Sequence, residues 1–168
     1  MRTITLSVLL PLFFTAATLG QNKGVPSRFI VFMAPECPIG QFYTPLLRTY
    51  SEQTSFQQKS FTLAFTTGDS ASVAQFEQKY RTGWPLLWGP EAQLLAKQHQ
   101  ASVTPELVVL NSNQKILYRG RLNDAYAAPG RKKPKIKLSE IDTLYQAYLK
   151  KQSTSIAHQP AIGCLMNP

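Results

Sequence analysis

Sulfur is scarce in this chain of 168 residues, whose thiols are Cys37 and Cys164 and whose histidines are His99 and His158. Four such residues, scattered along the sequence, match no zinc-ligand spacing, so neither a metal nor any other cofactor is expected. What remains is thiol chemistry, in which a thiolate attacks a disulfide or a peroxide and its supply is set by the thiol pKa. Cys37 falls in Ala34-Pro35-Glu36-Cys37-Pro38, between an apolar run and a helical pattern. The unpaired N–H groups and dipole of a helix start favour an anion there. Pro38 removes one donor and Glu36 adds negative charge, so the thiol is expected to be reactive without being extreme. Cys164 lies in a tail with no comparable help. Cys37 is therefore the expected nucleophile, and Cys164 a distant resolving thiol if the tail folds back.

The elements that must hold Cys37 can be read from periodicity. RFIVFM, residues 28–33, is a β-rich run with no alternation, as in a strand buried on both faces. Pro38 suits the first turn of the helix that follows. Phe42, Leu46 and Tyr50 mark its apolar stripe, and Pro45 should kink it rather than end it. A second strand is expected at Phe61–Phe65, then a turn at Thr67–Ser70 and a helix with the stripe Val73, Phe76, Tyr80, broken at Gly83. Trp84–Trp88 reads as a short extended run, with both tryptophans as packing residues, and Pro90–Gln98 as a helix. Glu106–Leu110 and Lys115–Arg119 form a hairpin around Asn111–Gln114. Leu138, Ile141, Tyr145 and Tyr148 mark a last helix that begins near Ser139. The tail from Gln152 is expected to be irregular, with His158 solvated. The order implies an α/β fold: a mixed sheet, its first two strands parallel, with helices on both faces.

Composition sets the outer limits. The chain is 43% hydrophobic and 16% charged, a globular balance that excludes a disordered one. Its formal charge is +9. Arg131, Lys132, Lys133, Lys135 and Lys137 concentrate that charge in one loop. The loop reads first as a solvated surface, with an acidic partner or a membrane surface as the alternative, and it lacks the interleaved aromatics of nucleic-acid stacking. Arg2, the apolar stretch Ile4–Leu19 and the small residues Ala16, Ala17 and Gly20 have the layout of a secretory signal peptide. Residues 1–20 are assigned to it and residues 21–168 to one domain, exported to the periplasm or secreted. Outside the cell no reducing pool keeps two thiols apart, so a Cys37–Cys164 disulfide is expected.

Cys37-Pro38 after a strand and Thr104-Pro105 before the hairpin resemble the redoxin branch of the thioredoxin superfamily. The Trp84–Gln98 segment is similar to the insertion of peroxiredoxin-like members. The run Tyr118-Arg119-Gly120-Arg121-Leu122-Asn123-Asp124 and the late Ile162-Gly163-Cys164 resemble a bacterial subgroup of the alkyl hydroperoxide reductase/thiol-specific antioxidant grouping. The resemblance implies a thioredoxin-like fold with a cis Thr104–Pro105 bond beside Cys37. It also implies that Pro38, Thr104 and Pro105 line the substrate groove. The chain departs from both standard chemistries: Gly40 stands where thioredoxins carry their second Cys, and Ala34 and Ile30 replace the Thr/Ser and Pro of peroxiredoxins.

The leading expectation is a thiol-disulfide oxidoreductase acting on protein or small-molecule thiols and disulfides, recharged by an external thiol. The rivals are a thiol peroxidase and a non-enzymatic binding module with a structural Cys37–Cys164 disulfide. Mass spectrometry of the exported protein should find an N-terminus between Thr18 and Gln21; an intact leader would refute the signal-peptide assignment.

Overall fold

The computed structural model describes residues 24–53 and 57–166, so the leader assigned from sequence lies outside the described residues. Strand β1 (Pro26–Met33) runs through the middle of the molecule. It pairs in parallel with β2 (Phe61–Phe65), from Phe29 opposite Phe61 to Met33 opposite Phe65. Beyond β2 lies the parallel edge strand β3 (Leu86–Trp88). On its other side β1 pairs antiparallel with a strand at Glu106–Asn111, which in turn pairs antiparallel with the edge strand Ile116–Gly120. A two-residue strand, β4 (Val103–Thr104), precedes this hairpin, whose strands are therefore β5 and β6. The five-stranded order is β3-β2-β1-β5-β6, mixed as expected.

The unalternating run in β1 is explained by cover on both faces: Phe29 to Met33 are all fully buried. Phe29, Val31 and Met33 face one core. That core is closed by Leu47 and Tyr50 of a helix at Thr44–Ser51, by Val73 and Phe76 of one at Ser70–Tyr80, and by Ile141, Leu144 and Tyr145 of one at Glu140–Leu149. Ile30 and Phe32 face the opposite core, where Ala92 and Ala96 of the helix Pro90–Gln98 bring that helix close to the sheet. Counting the short helix Pro38–Phe42 first, these are α1 to α5 in chain order. Each large apolar side chain so buried contributes about 1.5–3 kcal/mol relative to exposure.

Several local expectations are corrected. Pro45 does more than kink the first helix, for the helix is interrupted at Tyr43 and restarts as α2. Pro45 has no N–H to offer the Gln41 carbonyl, and the Thr44 hydroxyl donates to that oxygen instead, at 2.8 Å. The interruption turns Tyr43 and Leu47 into the core and leaves Phe42 and Leu46 half-buried at its rim. Asp69 caps α3 by accepting from the Ser72 N–H, but the helix ends at Arg81 in the left-handed region, two residues before Gly83. Trp84 packs as expected, its indole N–H on the Leu47 carbonyl at 2.9 Å, whereas Trp88 on the edge strand is 45% exposed. Leu138 lies before the Ser139 cap and is exposed.

The basic loop is also more ordered than expected. It contains a small hairpin of β7 (Tyr126–Ala128) and β8 (Arg131–Lys132), with the Lys132 ammonium 4.1 Å from the Phe42 ring centroid. Asp124 secures it: one carboxylate oxygen takes the N–H groups of Lys137 and Leu138 at 2.8 and 3.0 Å, and the other takes the Lys133 ammonium at 3.0 Å. The Leu138 N–H, then Lys133 and the Lys137 N–H, hold this carboxyl well below the usual carboxylate range. A pKa depressed on folding adds stability above the unfolded value near 4, and that stability is lost as pH falls further. Amide exchange at 133–138 should therefore accelerate as pH is lowered from 5 to 2, beyond the chemical trend. Asp124→Asn should exchange fast at neutral pH and lose the transition; an unchanged profile would refute this anchoring.

Candidate redox site

Cys37 lies four residues beyond the end of β1 and is the N-cap of α1, its carbonyl accepting the Gln41 N–H at 2.9 Å. Pro38 occupies the first helical position and is exposed. The neighbouring polar groups are engaged elsewhere: Glu36 accepts from the Thr67 hydroxyl at 2.8 Å, and the Gln41 amide donates to the Pro35 carbonyl at 2.8 Å. At Gly40, three residues on, a Cβ would stand 3.6 Å from Cys37 Cβ and 3.3 Å from the Met33 methyl. The helix therefore offers the usual geometry for a second thiol, and this chain fills the place with Gly and Met33.

The partner sulfur comes from the far end of the chain. Cys37 and Cys164 form a disulfide with Cα atoms 6.1 Å apart, 127 positions distant in sequence. Cys164 is carried by β9 (Cys164–Leu165), which pairs antiparallel with β4: Leu165 opposite Val103, and Cys164 opposite Thr104. The Thr104–Pro105 bond is cis, as the family resemblance implied. The Thr104 carbonyl oxygen lies 3.1 Å from Cys37 Sγ. In the disulfide that sulfur has no proton to donate; once reduced, a thiol there can donate to this oxygen. Cys37, Pro38, Thr104, Pro105 and Cys164 are thus brought to one place.

The electrostatics are less favourable to a thiolate than the sequence suggests. Helix α1 has five residues, Pro38 supplies no N–H, and the Thr104 carbonyl oxygen within 3.1 Å of Cys37 Sγ repels an anion. Cys37 is also 1% exposed, covered in part by the segment it is bonded to.

That segment is not the loose tail expected. Thr154 exchanges backbone hydrogen bonds with Gly24, the Arg121 N–H donates to the Gln159 carbonyl at 3.1 Å, and the Met166 N–H donates to the Ser102 carbonyl at 3.0 Å. His158 is exposed, as expected, and its Nδ1 accepts the Arg119 N–H at 2.9 Å. Beneath the segment is a groove of about 340 Å³ lined by Glu106, Arg119, His158 and Gln159. Glu106 is buried there, accepting the Ser102 N–H at 2.8 Å. The groove left no mark in the sequence, since Glu106 sits inside an apolar strand run. Two glycines did leave one: a Cβ at Gly120 would meet the Gln159 carbonyl, and one at Gly163 the Thr104 carbonyl.

The strand order, the parallel β1–β2 pair with the helix start after β1, and the cis proline before the antiparallel hairpin define a thioredoxin-like fold. An uncharacterized conserved protein from Geobacillus kaustophilus superposes with a TM-score of 0.60 at 19% identity, over 86% of this chain and 78% of that one. A hypothetical protein from Sinorhizobium meliloti does so with a TM-score of 0.59 at 21% identity, over 84% and 79%. A secreted Mycobacterium tuberculosis disulfide oxidoreductase gives 0.49 at 12% identity, over 77% and 96%. The first two likenesses are of fold. No protein-family model and no curated protein matches the chain.

Gly120 also has φ +146°, a backbone region that side chains rarely adopt. Gly120→Val should therefore detach the 158–161 segment and lower stability by about 2 kcal/mol or more. Chemical denaturation measures it, and a change within experimental error would refute the close approach.

Proposed function

We propose that the protein is an exported thiol-disulfide oxidoreductase of the redoxin branch, periplasmic or secreted, whose redox pair is Cys37 and Cys164. The observation that carries this reading is the disulfide itself, set where a helix start, the Thr104 carbonyl and cis-Pro105 converge. In the reduced protein, the Cys37 thiolate attacks one sulfur of a substrate disulfide and expels the other as a thiolate. Cys164, as thiolate, then attacks Cys37 Sγ, releases the second substrate thiol and leaves the Cys37–Cys164 bond. Two electrons pass to the substrate, and an external thiol reductant restores the pair. Pro38, Thr104 and Pro105 shape the groove in which the substrate sulfur meets Cys37. The sulfurs carry the whole reaction.

Peroxide chemistry is the weaker reading. Ala34 supplies no hydroxyl to orient a peroxide, and the polar atom beside Cys37 Sγ is an acceptor where a peroxide oxygen needs donors. The structural-disulfide reading has one observation in its favour, the near-complete burial of Cys37. Closing so long a loop would stabilise the fold by roughly 5 kcal/mol in the chain-entropy account. Redox titration separates the two, because a structural bond is reduced only below about −300 mV and an exchanging one titrates at higher potential.

The basic hairpin belongs to this picture as a docking face. Arg131, Lys132, Lys135 and Lys137 are exposed there with Ile136 and Leu138 among them, a surface suited to an acidic partner or an anionic membrane.

Insulin reduction with a thiol recycling system tests the mechanism. Cys37→Ser should fall to the uncatalysed rate. Cys164→Ser should lose turnover while accumulating Cys37 in mixed disulfides, visible by non-reducing peptide mapping. Full activity in either variant would overturn the assignment.

A further inference from the structure

We propose that residues 131–138 dock the protein on an anionic phospholipid surface, with Ile136 and Leu138 entering the headgroup boundary and Arg131, Lys132, Lys135 and Lys137 set against the lipid phosphates. Between Asp124 and Ser139 the chain carries no carboxylate side chain. Lys133 is paired with Asp124, and the other four cations are exposed. Charge alone would suit an acidic protein equally well, and the apolar residues decide between the two. Ile136 and Leu138 are 45% and 59% exposed. They alternate with Lys135 and Lys137, which are exposed as well, so this stretch stands clear of the body of the protein. The hairpin turn projects in the same way: Pro129 and Gly130 are exposed, and a Cβ at Gly130 would meet nothing within 4 Å. A convex ridge of cations and aliphatic side chains fits a plane with a charged surface and an apolar interior. An acidic peptide would reach the cations and leave both aliphatic side chains in water.

The ridge has its shape before it meets a partner. Asp124 accepts the N–H groups of Lys137 and Leu138, and its own N–H donates to the Leu138 carbonyl at 3.0 Å. Little backbone ordering is therefore left to be paid on binding. The ridge is also coupled to the redox site. The Lys132 ammonium lies over the Phe42 ring, and the Tyr126 ring meets it edge-on with centroids 5.3 Å apart. Phe42 is the last residue of α1, the helix that Cys37 caps. A docked hairpin holds that helix near the lipid surface, where the disulfides within reach are those of proteins held at the membrane.

Co-sedimentation of the purified protein with vesicles at physiological ionic strength tests the docking. The probes are vesicles of phosphatidylglycerol mixed with phosphatidylcholine, vesicles of phosphatidylcholine alone, and a soluble poly-glutamate peptide. The protein should sediment with the first vesicles and stay in solution with the second. A cation near an anionic leaflet contributes roughly fivefold in affinity, so Lys135→Gln with Lys137→Gln should weaken vesicle binding roughly 25-fold. Ile136→Ser with Leu138→Ser keeps every charge and should still weaken it roughly tenfold, through the apolar area no longer buried. The same pair should leave affinity for poly-glutamate unaltered. Leu138→Trp should shift its emission to the blue on the anionic vesicles and be quenched by brominated acyl chains. The unmodified protein on the two kinds of vesicle decides the matter alone should a variant fail to fold. Failure to sediment with anionic vesicles would overturn the proposal. Undiminished vesicle binding by the serine pair would do so too, and would point to an acidic macromolecule on a purely electrostatic face. Insulin reduction by the same preparation without lipid reads the redox pair separately, so a failure of docking leaves that function standing.

Discussion

Strand β1 has no face exposed to water, and the rest of the molecule is arranged to satisfy that condition. Five consecutive residues, Phe29 to Met33, must be covered on both sides, and their N–H and C=O groups must find partners on both edges. The parallel strand β2 and the antiparallel strand β5 supply the partners. Helices α2, α3 and α5 cover one face and α4 the other. Cys37 lies four residues beyond the end of this strand, so the stiffest element of the fold aims the sulfur. The cis-proline turn is fixed by the same constraint from the other side, because β5, which follows it directly, is β1's antiparallel neighbour.

This dependence explains what was legible in the sequence. β1, β2, β5 and the helices α3, α4 and α5 each carry a periodic apolar pattern that one local core imposes, and their limits were readable to within a residue or two. The position of Cys37 followed from them. The first helix was misread because Pro45 acts through a missing donor, and whether a kink becomes an interruption depends on who serves the Gln41 carbonyl, here Thr44. The tail was misread for a different reason. Its order comes from single backbone bridges to Gly24, β6 and β4, and from one disulfide, none of which produces a pattern along the sequence. Gly120 and Gly163 were the available signals, each marking a place where two backbones touch.

The source of the second sulfur distinguishes this site from a two-cysteine helix start. There, both thiols ride on one rigid element and the disulfide can close with little movement elsewhere. Here Gly40 and Met33 occupy that neighbourhood, and the second sulfur arrives on a strand held by two residues of pairing. Helix α1 is short, and the Thr104 carbonyl beside Cys37 Sγ offers no help to an anion there.

The long covalent ring has a mechanical consequence. Between Cys37 and Cys164 the chain closes on itself across 127 positions, enclosing every strand of the central sheet except β1. Tension applied at the two ends of the oxidised chain bypasses the ring through the S–S bond and falls on β1 and on the short pairing of Leu165 and Met166, which would peel away while the ring stayed folded. Reduction puts the ring back in series with the load and releases roughly 400–450 Å of additional contour length at full extension. An end-tethered molecule would therefore report its oxidation state as its length under force.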